Sequence, residues 1–175
     1  MRQFPNRRFN DQIMKRTVFT LTMMLPLLSG CRGESIDQIP DDPDELTLFS
    51  IDGPKKYDPP PGVTLLYDCP VLGHVDIVDP HQRQEVMSSV KEGIRNAPKG
   101  TGAACFVPRH LVRVGKGGKT VDVAICFQCH NYVIYQPGVD SRSRYGGTTT
   151  SVSQALLNKI LTDAGVPISP NLGES

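Results

Sequence analysis

The chain of 175 residues has no tryptophan, only 6% aromatic residues and almost no net charge, with 19 Lys+Arg against 18 Asp+Glu. With 38% hydrophobic residues it is no long coiled coil, collagen or multi-pass membrane protein, and its composition describes one ordinary domain with extra chain attached. The near-zero charge hides an asymmetry: residues 1–30 hold five basic groups and one acid, whereas residues 31–175 hold 14 basic and 17 acidic groups. A nucleic-acid partner is excluded for a chain whose body is net negative. Catalytic signatures are missing as well. The sequence has no nucleophile elbow and no carboxylates paired at helical spacing, and the Gly-Thr run at 146–150 lacks the Lys of a phosphate loop.

What the chain does have begins at its N-terminus. Lys15 and Arg16 precede an uncharged apolar run from Thr17 to Leu28, then Ser29 and Gly30 lead into Cys31. This is an export signal, too short to span as a mature helix. Leu28-Ser29-Gly30-Cys31 resembles the lipobox of bacterial lipoproteins. The resemblance implies a signal peptide over 1–30, cleavage before Cys31, diacylglycerol on its sulfur and acylation of its new amino group. Two or more acyl chains anchor stably where one is marginal, at about 0.8 kcal/mol per buried CH₂. The expected partner is therefore a lipid bilayer, reached through acylated Cys31, and the address is the cell envelope. Arg32 follows the cysteine where lipoproteins of the inner membrane carry Asp, a similarity that tilts the address toward the outer membrane. The polar tract before Met14 is long for a leader and leaves Met1 and Met14 as alternative starts.

Residues 31–62 hold Pro40, Pro43, Pro54 and Pro59-Pro60-Pro61 among six acids between Glu34 and Glu45. That composition resists compact packing, so the stretch reads as an acidic, proline-rich tether carrying one short strand, Leu46 to Ile51. Residues 63–170 read as a single α+β domain, followed by a tail at 171–175. Val63–Leu66 and Val71–Val78 are β-type runs. Asp79 and Pro80 form a capping pair that opens a helix to about Asn96, with Val86, Val90, Ile94 and Ala97 facing inward. A second helix covers 151–164, with Ser151 as cap, a buried stripe of Val152, Leu156, Leu157, Ile160 and Leu161, and Gly165 then Pro167 as the stop. The expected architecture is a small, mostly antiparallel sheet in the order β-β-α-β-β-α, built around a central hairpin and packed on two helices.

The hairpin turns at Gly117-Gly118, a pair suited to a tight connection. With those two as the loop, Arg113 faces Asp122, Leu111 faces Ala124 and Arg109 faces Cys126 on one side. Val114 faces Val121, Val112 faces Val123 and His110 faces Ile125 on the other, which is the core face. Pro108 cannot donate to the ladder and marks a place for a bulge.

Four thiols remain beside Cys31, an even number for an oxidising compartment: Cys69, Cys105, Cys126 and Cys129. One reading is a disulfide between Cys105 and Cys129, which a one-residue bulge at Pro108 brings opposite each other. A second is structural zinc held by Cys105, His110, Cys126 and Cys129. Zinc requires the chain to turn between Cys126 and Cys129, whereas the β-rich flanks predict a continuing strand. The third is haem c on Cys126-Phe127-Gln128-Cys129-His130, which matches the CxxCH pattern. The β-type context and the position of Met87, upstream of the motif, disfavour it. Arg109 beside Cys126 is placed to lower that thiol's pKa.

Cys105-Phe106-Val107-Pro108-Arg109-His110 and Ile125-Cys126-Phe127-Gln128-Cys129, with a terminal helix ending Ala164-Gly165-Val166-Pro167, are similar to motifs of a group of uncharacterised bacterial exported proteins. The resemblance covers roughly Val71 to Pro167 and implies a shared small domain without an assigned activity. The expected function is a membrane-anchored binding or structural domain rather than an enzyme, taking an envelope protein or a small ligand and needing no cofactor. The alternative is a metal or redox protein centred on the cysteines.

Overall fold

The computed structural model describes residues 35–54, 61–100, 105–138 and 145–170. The signal peptide, Cys31 and the tail at 171–175 lie outside the described residues. A 3₁₀ turn at Ser35–Gln38 is followed by β1 (Glu45–Ile51), β2 (Leu65–Leu66), β3 (Cys69–Asp76), α1 (Pro80–Arg95), β4 (His110–Lys116), β5 (Lys119–Cys126), β6 (Asn131–Tyr135), β7 (Tyr145–Thr148) and α2 (Gln154–Asp163). Two helices and one large sheet make the fold mostly β, so the α+β expectation holds in part, and the expected small sheet and its order do not: the sheet has seven strands rather than four, in the order β2-β3-β1-β4-β5-β6-β7, and every pairing is antiparallel. Among the described residues no helix is long and apolar enough to cross a bilayer.

The added strands come from two places. The first is the expected tether. β1 pairs with β3 on one side and β4 on the other, in the middle of the sheet, and Ile39, Leu46 and Leu48 are buried in the main core. The domain therefore starts some thirty residues before position 63. Composition misled here because the acids have partners. Asp41 pairs with Lys91, a lysine only 4% exposed, and Asp42 and Asp44 both reach Lys116. The Gly117 amide, and after it Lys116, hold the Asp44 carboxyl below the usual range. The second place is the Gly-Thr run. It contributes to the edge strand β7, which the sequence reading did not include, and Gly146 fits there because a Cβ would lie 2.9 Å from the carbonyl oxygen of Tyr132.

The central hairpin follows the expected register, from His110 opposite Ile125 to Lys116 opposite Lys119. Gly117 and Gly118 both have positive φ, 56° and 75°, which a type I′ turn requires. The strand expected to continue through Cys129 ends instead at Cys126. Residues 127–130 form a turn, with Cys126 opposite Asn131 as the last pair. Phe127 swings into the main core, and His130 closes the turn at φ 52° with its amide on the Phe127 carbonyl.

Both helices cover one face of the sheet. α1 is capped by the Asp79 side chain, which accepts from the His81 amide at 3.1 Å, with Pro80 in the first helical position. α2 begins at Gln154, three residues later than expected, which leaves Val152 47% exposed rather than buried. It ends as the sequence implies at Gly165, φ 70°. Beyond it the C-terminal segment crosses the sheet: Ser50 donates to the Pro167 carbonyl at 2.6 Å, Ser169 to Asp52 at 2.7 Å, and Arg109 Nε to the Pro170 carbonyl at 2.7 Å.

Leu48 tests the place of β1. It is fully buried within the supposed tether, so Leu48→Ala lowers the free energy of unfolding by about 2–5 kcal/mol, the cost of a core cavity. Denaturant unfolding of the two proteins checks this; a change within ±0.5 kcal/mol is the result of a dispensable tether.

Candidate functional site

The face of the sheet away from the helices carries the side chains that alternate outward from β1, β4, β5 and β6. A second cluster, Ile51, Cys69, Leu111, Ala124 and Tyr135, is buried there. The expected cross-strand pair of Arg113 and Asp122 sits among them. Arg113 Nε and Nη2 each reach one oxygen of the Asp122 carboxylate at 2.8 Å, a bidentate fork. Asp122 is completely buried, and its third donor is the hydroxyl of Tyr67 at 2.8 Å. The Arg113 guanidinium also lies over the Phe49 ring, 5.2 Å from its centroid.

Tyr67 reaches Asp122 from an unusual turn. Leu66 opposite Cys69 leaves Tyr67 and Asp68 as the two loop residues of the β2–β3 hairpin, and both have positive φ, 53° and 65°. That geometry favours glycine or asparagine and costs a tyrosine roughly 1–2 kcal/mol. The Tyr67 ring offsets this cost by stacking on Tyr135 at 3.7 Å between centroids and by its bond to Asp122. Burial, with Asp122 beside it, pushes the Tyr67 phenol well above its ordinary pKa.

Around this turn opens a cavity of about 320 Å³, in the size range of small-ligand sites. Tyr67, Tyr135, Phe106, Leu66, Ile51 and Val133 supply its apolar walls, and Ala124, Asp68 and Cys69 also line it. The Cys69 thiol is pushed up to about 11, first by burial and then by Asp68 and Asp52.

The cysteine motif lies at the far end of β5. The amide of Arg109 bonds to the carbonyl of Ile125 at 3.2 Å, although the hairpin register continued would put Cys126 opposite Arg109. Beyond this one-residue slip, next to Pro108, Cys105 approaches Cys129 of the 127–130 turn, and their sulfurs are 2.7 Å apart. Cys126 Sγ accepts the Cys129 amide at 3.2 Å. Arg109 does not serve the Cys126 thiol; its guanidinium bonds to the carbonyls of Pro170 and Val107.

The expected zinc set is therefore split. The turn that zinc needed between Cys126 and Cys129 is present, but His110 points to the helix face. There its Nε2 meets Asn158 Oδ1 at 2.7 Å and its ring lies edge-on to Phe127. Alternation along β5 sends Cys126 to the opposite face. Among the described residues no three His, Cys, Asp or Glu side chains are grouped to hold a metal. In the CxxCH stretch Cys126 and Cys129 share one turn. Cys126 and Cys129 are 1% and 2% exposed, whereas His130 is exposed and lines a separate cavity with Pro98, Gly100 and Thr148.

The sequence brought out Arg113 with Asp122 but missed Tyr67 and Tyr135. The signal for Tyr135 was present: once a turn is placed at 127–130, the pairing of β5 with β6 sets it opposite Asp122. No local pattern marks Tyr67, whose placement depends on a strained turn. No protein-family model matches the chain, and neither a curated protein nor a solved structure matches it significantly.

Burial lowers the His110 pKa to about 4, so the native ring is neutral where an unfolded one titrates near 6.5. Below pH 6.5 the unfolded state takes up a proton that the folded state refuses. Stability is thus full above pH 6.5 and falls by roughly 3 kcal/mol as pH drops toward 4. His110→Gln, which keeps a donor for Asn158, removes that share of the acid destabilisation; identical slopes for the two proteins in denaturant titrations between pH 6.5 and 4 contradict it.

Proposed function

We propose that the protein is a bacterial cell-envelope lipoprotein, anchored through acylated Cys31, whose domain binds a small apolar ligand without negative charge in the pocket beneath Tyr67. The observation that carries the binding reading is the 320 Å³ cavity with its aromatic wall and strained turn. Non-glycine residues held at positive φ persist where the surroundings over-determine them, and they gather at binding sites. Asp68, a carboxylate on the cavity lining, disfavours anions. A binding role fits better than catalysis because the buried carboxylate at the site, Asp122, is already committed to Arg113 and Tyr67. The anchor rests on the basic and apolar leader that closes at Cys31, and Arg32 supports an outer-membrane address.

Two experiments test this reading. In cells fed an alkyne-tagged palmitate, the chain acquires the tag and Cys31→Ser does not; equal labelling of both removes the anchor. For the pocket, the neutral fluorophore N-phenyl-1-naphthylamine binds one per chain. Ala124→Phe, which fills the cavity, weakens that binding at least tenfold while the circular dichroism is unchanged. Binding that survives Ala124→Phe places the probe elsewhere and rejects the pocket.

A further inference from the structure

We infer that Cys105 and Cys129 are joined by a disulfide that fixes one wall of the pocket. The effect on the pocket rests on the binding reading above; the bond itself does not. The structure holds both as free thiols, with the two sulfurs 2.7 Å apart, closer than unbonded sulfurs pack and beyond the roughly 2.05 Å of a formed bond. Two thiolates on one tetrahedral zinc, each about 2.3 Å from the metal, stay roughly 3.7 Å apart. The contact therefore points to a sulfur–sulfur bond rather than a shared metal.

The other thiols are otherwise engaged. Cys126 Sγ accepts the Cys129 amide, and the Cys69 thiol donates to the Tyr67 carbonyl at 3.5 Å. Exposure gives the order of events. Cys105 is open to solvent and Cys129 is buried, so an external disulfide, small-molecule or protein, meets Cys105 first. The Cys105 thiolate attacks it, forms a mixed disulfide and expels one thiolate, which takes up the proton Cys105 released. The Cys129 thiolate then attacks Cys105 Sγ and expels the second. Two protein thiols become one disulfide, and the oxidant leaves as two thiols. The contact with Cys129 raises the Cys105 pKa, so the first attack quickens with pH.

The segment held by this bond reaches the pocket. Phe106 and Pro108, immediately after Cys105, line the cavity, while Asn131 Nδ2 holds the Cys105 carbonyl at 3.3 Å. Closing residues 105 to 129 into a ring ties the entry to β4 onto the β5–β6 turn, restricts the unfolded chain and keeps the Phe106 wall in place.

The test uses the chain purified from membranes in detergent without reductant. Peptide mapping is expected to find Cys105 linked to Cys129, with a mass two hydrogens below that of the reduced chain. Reduction lowers Tm by roughly 10 °C and weakens naphthylamine binding at least fivefold, and oxidised glutathione restores both. Cys105→Ser reproduces the reduced state, whereas Cys126→Ala keeps the bond and the affinity. A mass unchanged by reduction, a Cys126–Cys129 link, or zinc released on denaturation overturns the bond. A mapped bond whose reduction leaves probe affinity unchanged overturns the wall role. Absence of probe binding in both redox states overturns the pocket reading while the mapped bond stands.

Discussion

The continuity of the sheet depends on β1. Its backbone groups bond to β3 along one edge and to β4 along the other, and it is the strand through which β2 and β3 connect to the four strands that follow α1. Without it, the two-stranded β2–β3 piece has no partner for its exposed edge, and a two-stranded ribbon alone is marginal in water. The aromatic pocket inherits the same dependence, because Tyr67 comes from the first piece and Tyr135, Ala124 and Phe106 come from the second. The acids ahead of β1 support its insertion by pairing with Lys91 and Lys116.

The Arg113–Asp122 pair organises the sheet face that carries the pocket. Burying a carboxylate is expensive unless its lone pairs are met. Here three donors meet them, two from Arg113 and one from Tyr67. Such a network contributes less to stability than to uniqueness: a one-residue slip between β4 and β5 would leave a buried charge unpaired, and a relaxed β2–β3 turn would withdraw the tyrosine hydroxyl. The strained turn and the buried ion pair thus hold each other in place.

The cysteine cluster shows how one irregularity in a ladder redistributes chemistry. Pro108 cannot donate, the ladder slips by one residue at Arg109, and Cys105 meets Cys129. The turn at 127–130 follows from its own residues. Phe127 gains the core beside His110, Cys126 accepts an amide, and His130 takes the left-handed position. His110 stays neutral on the far face of the sheet.

Local features were legible in the residues alone: the Gly117-Gly118 turn, the hairpin register that pairs Arg113 with Asp122, the Asp79-Pro80 start of α1 and the Gly165 stop of α2. Each of these rests on neighbouring residues, or on a period that a short turn fixes. Tertiary structure decided the rest. The acidic, proline-rich composition of residues 31–62 hid a central strand because its partners, Lys91, Lys116, β3 and β4, lie at least twenty residues away. The run from Val121 to Tyr135 read as one strand because its β-rich composition is the same on both sides of the turn. Tyr67 acquired its contacts from non-local pairing, which leaves no periodic trace in the residues beside it, so the pocket came into view only when the chain was folded, whereas the approach of Cys105 to Cys129 was one of several readings the residues left open.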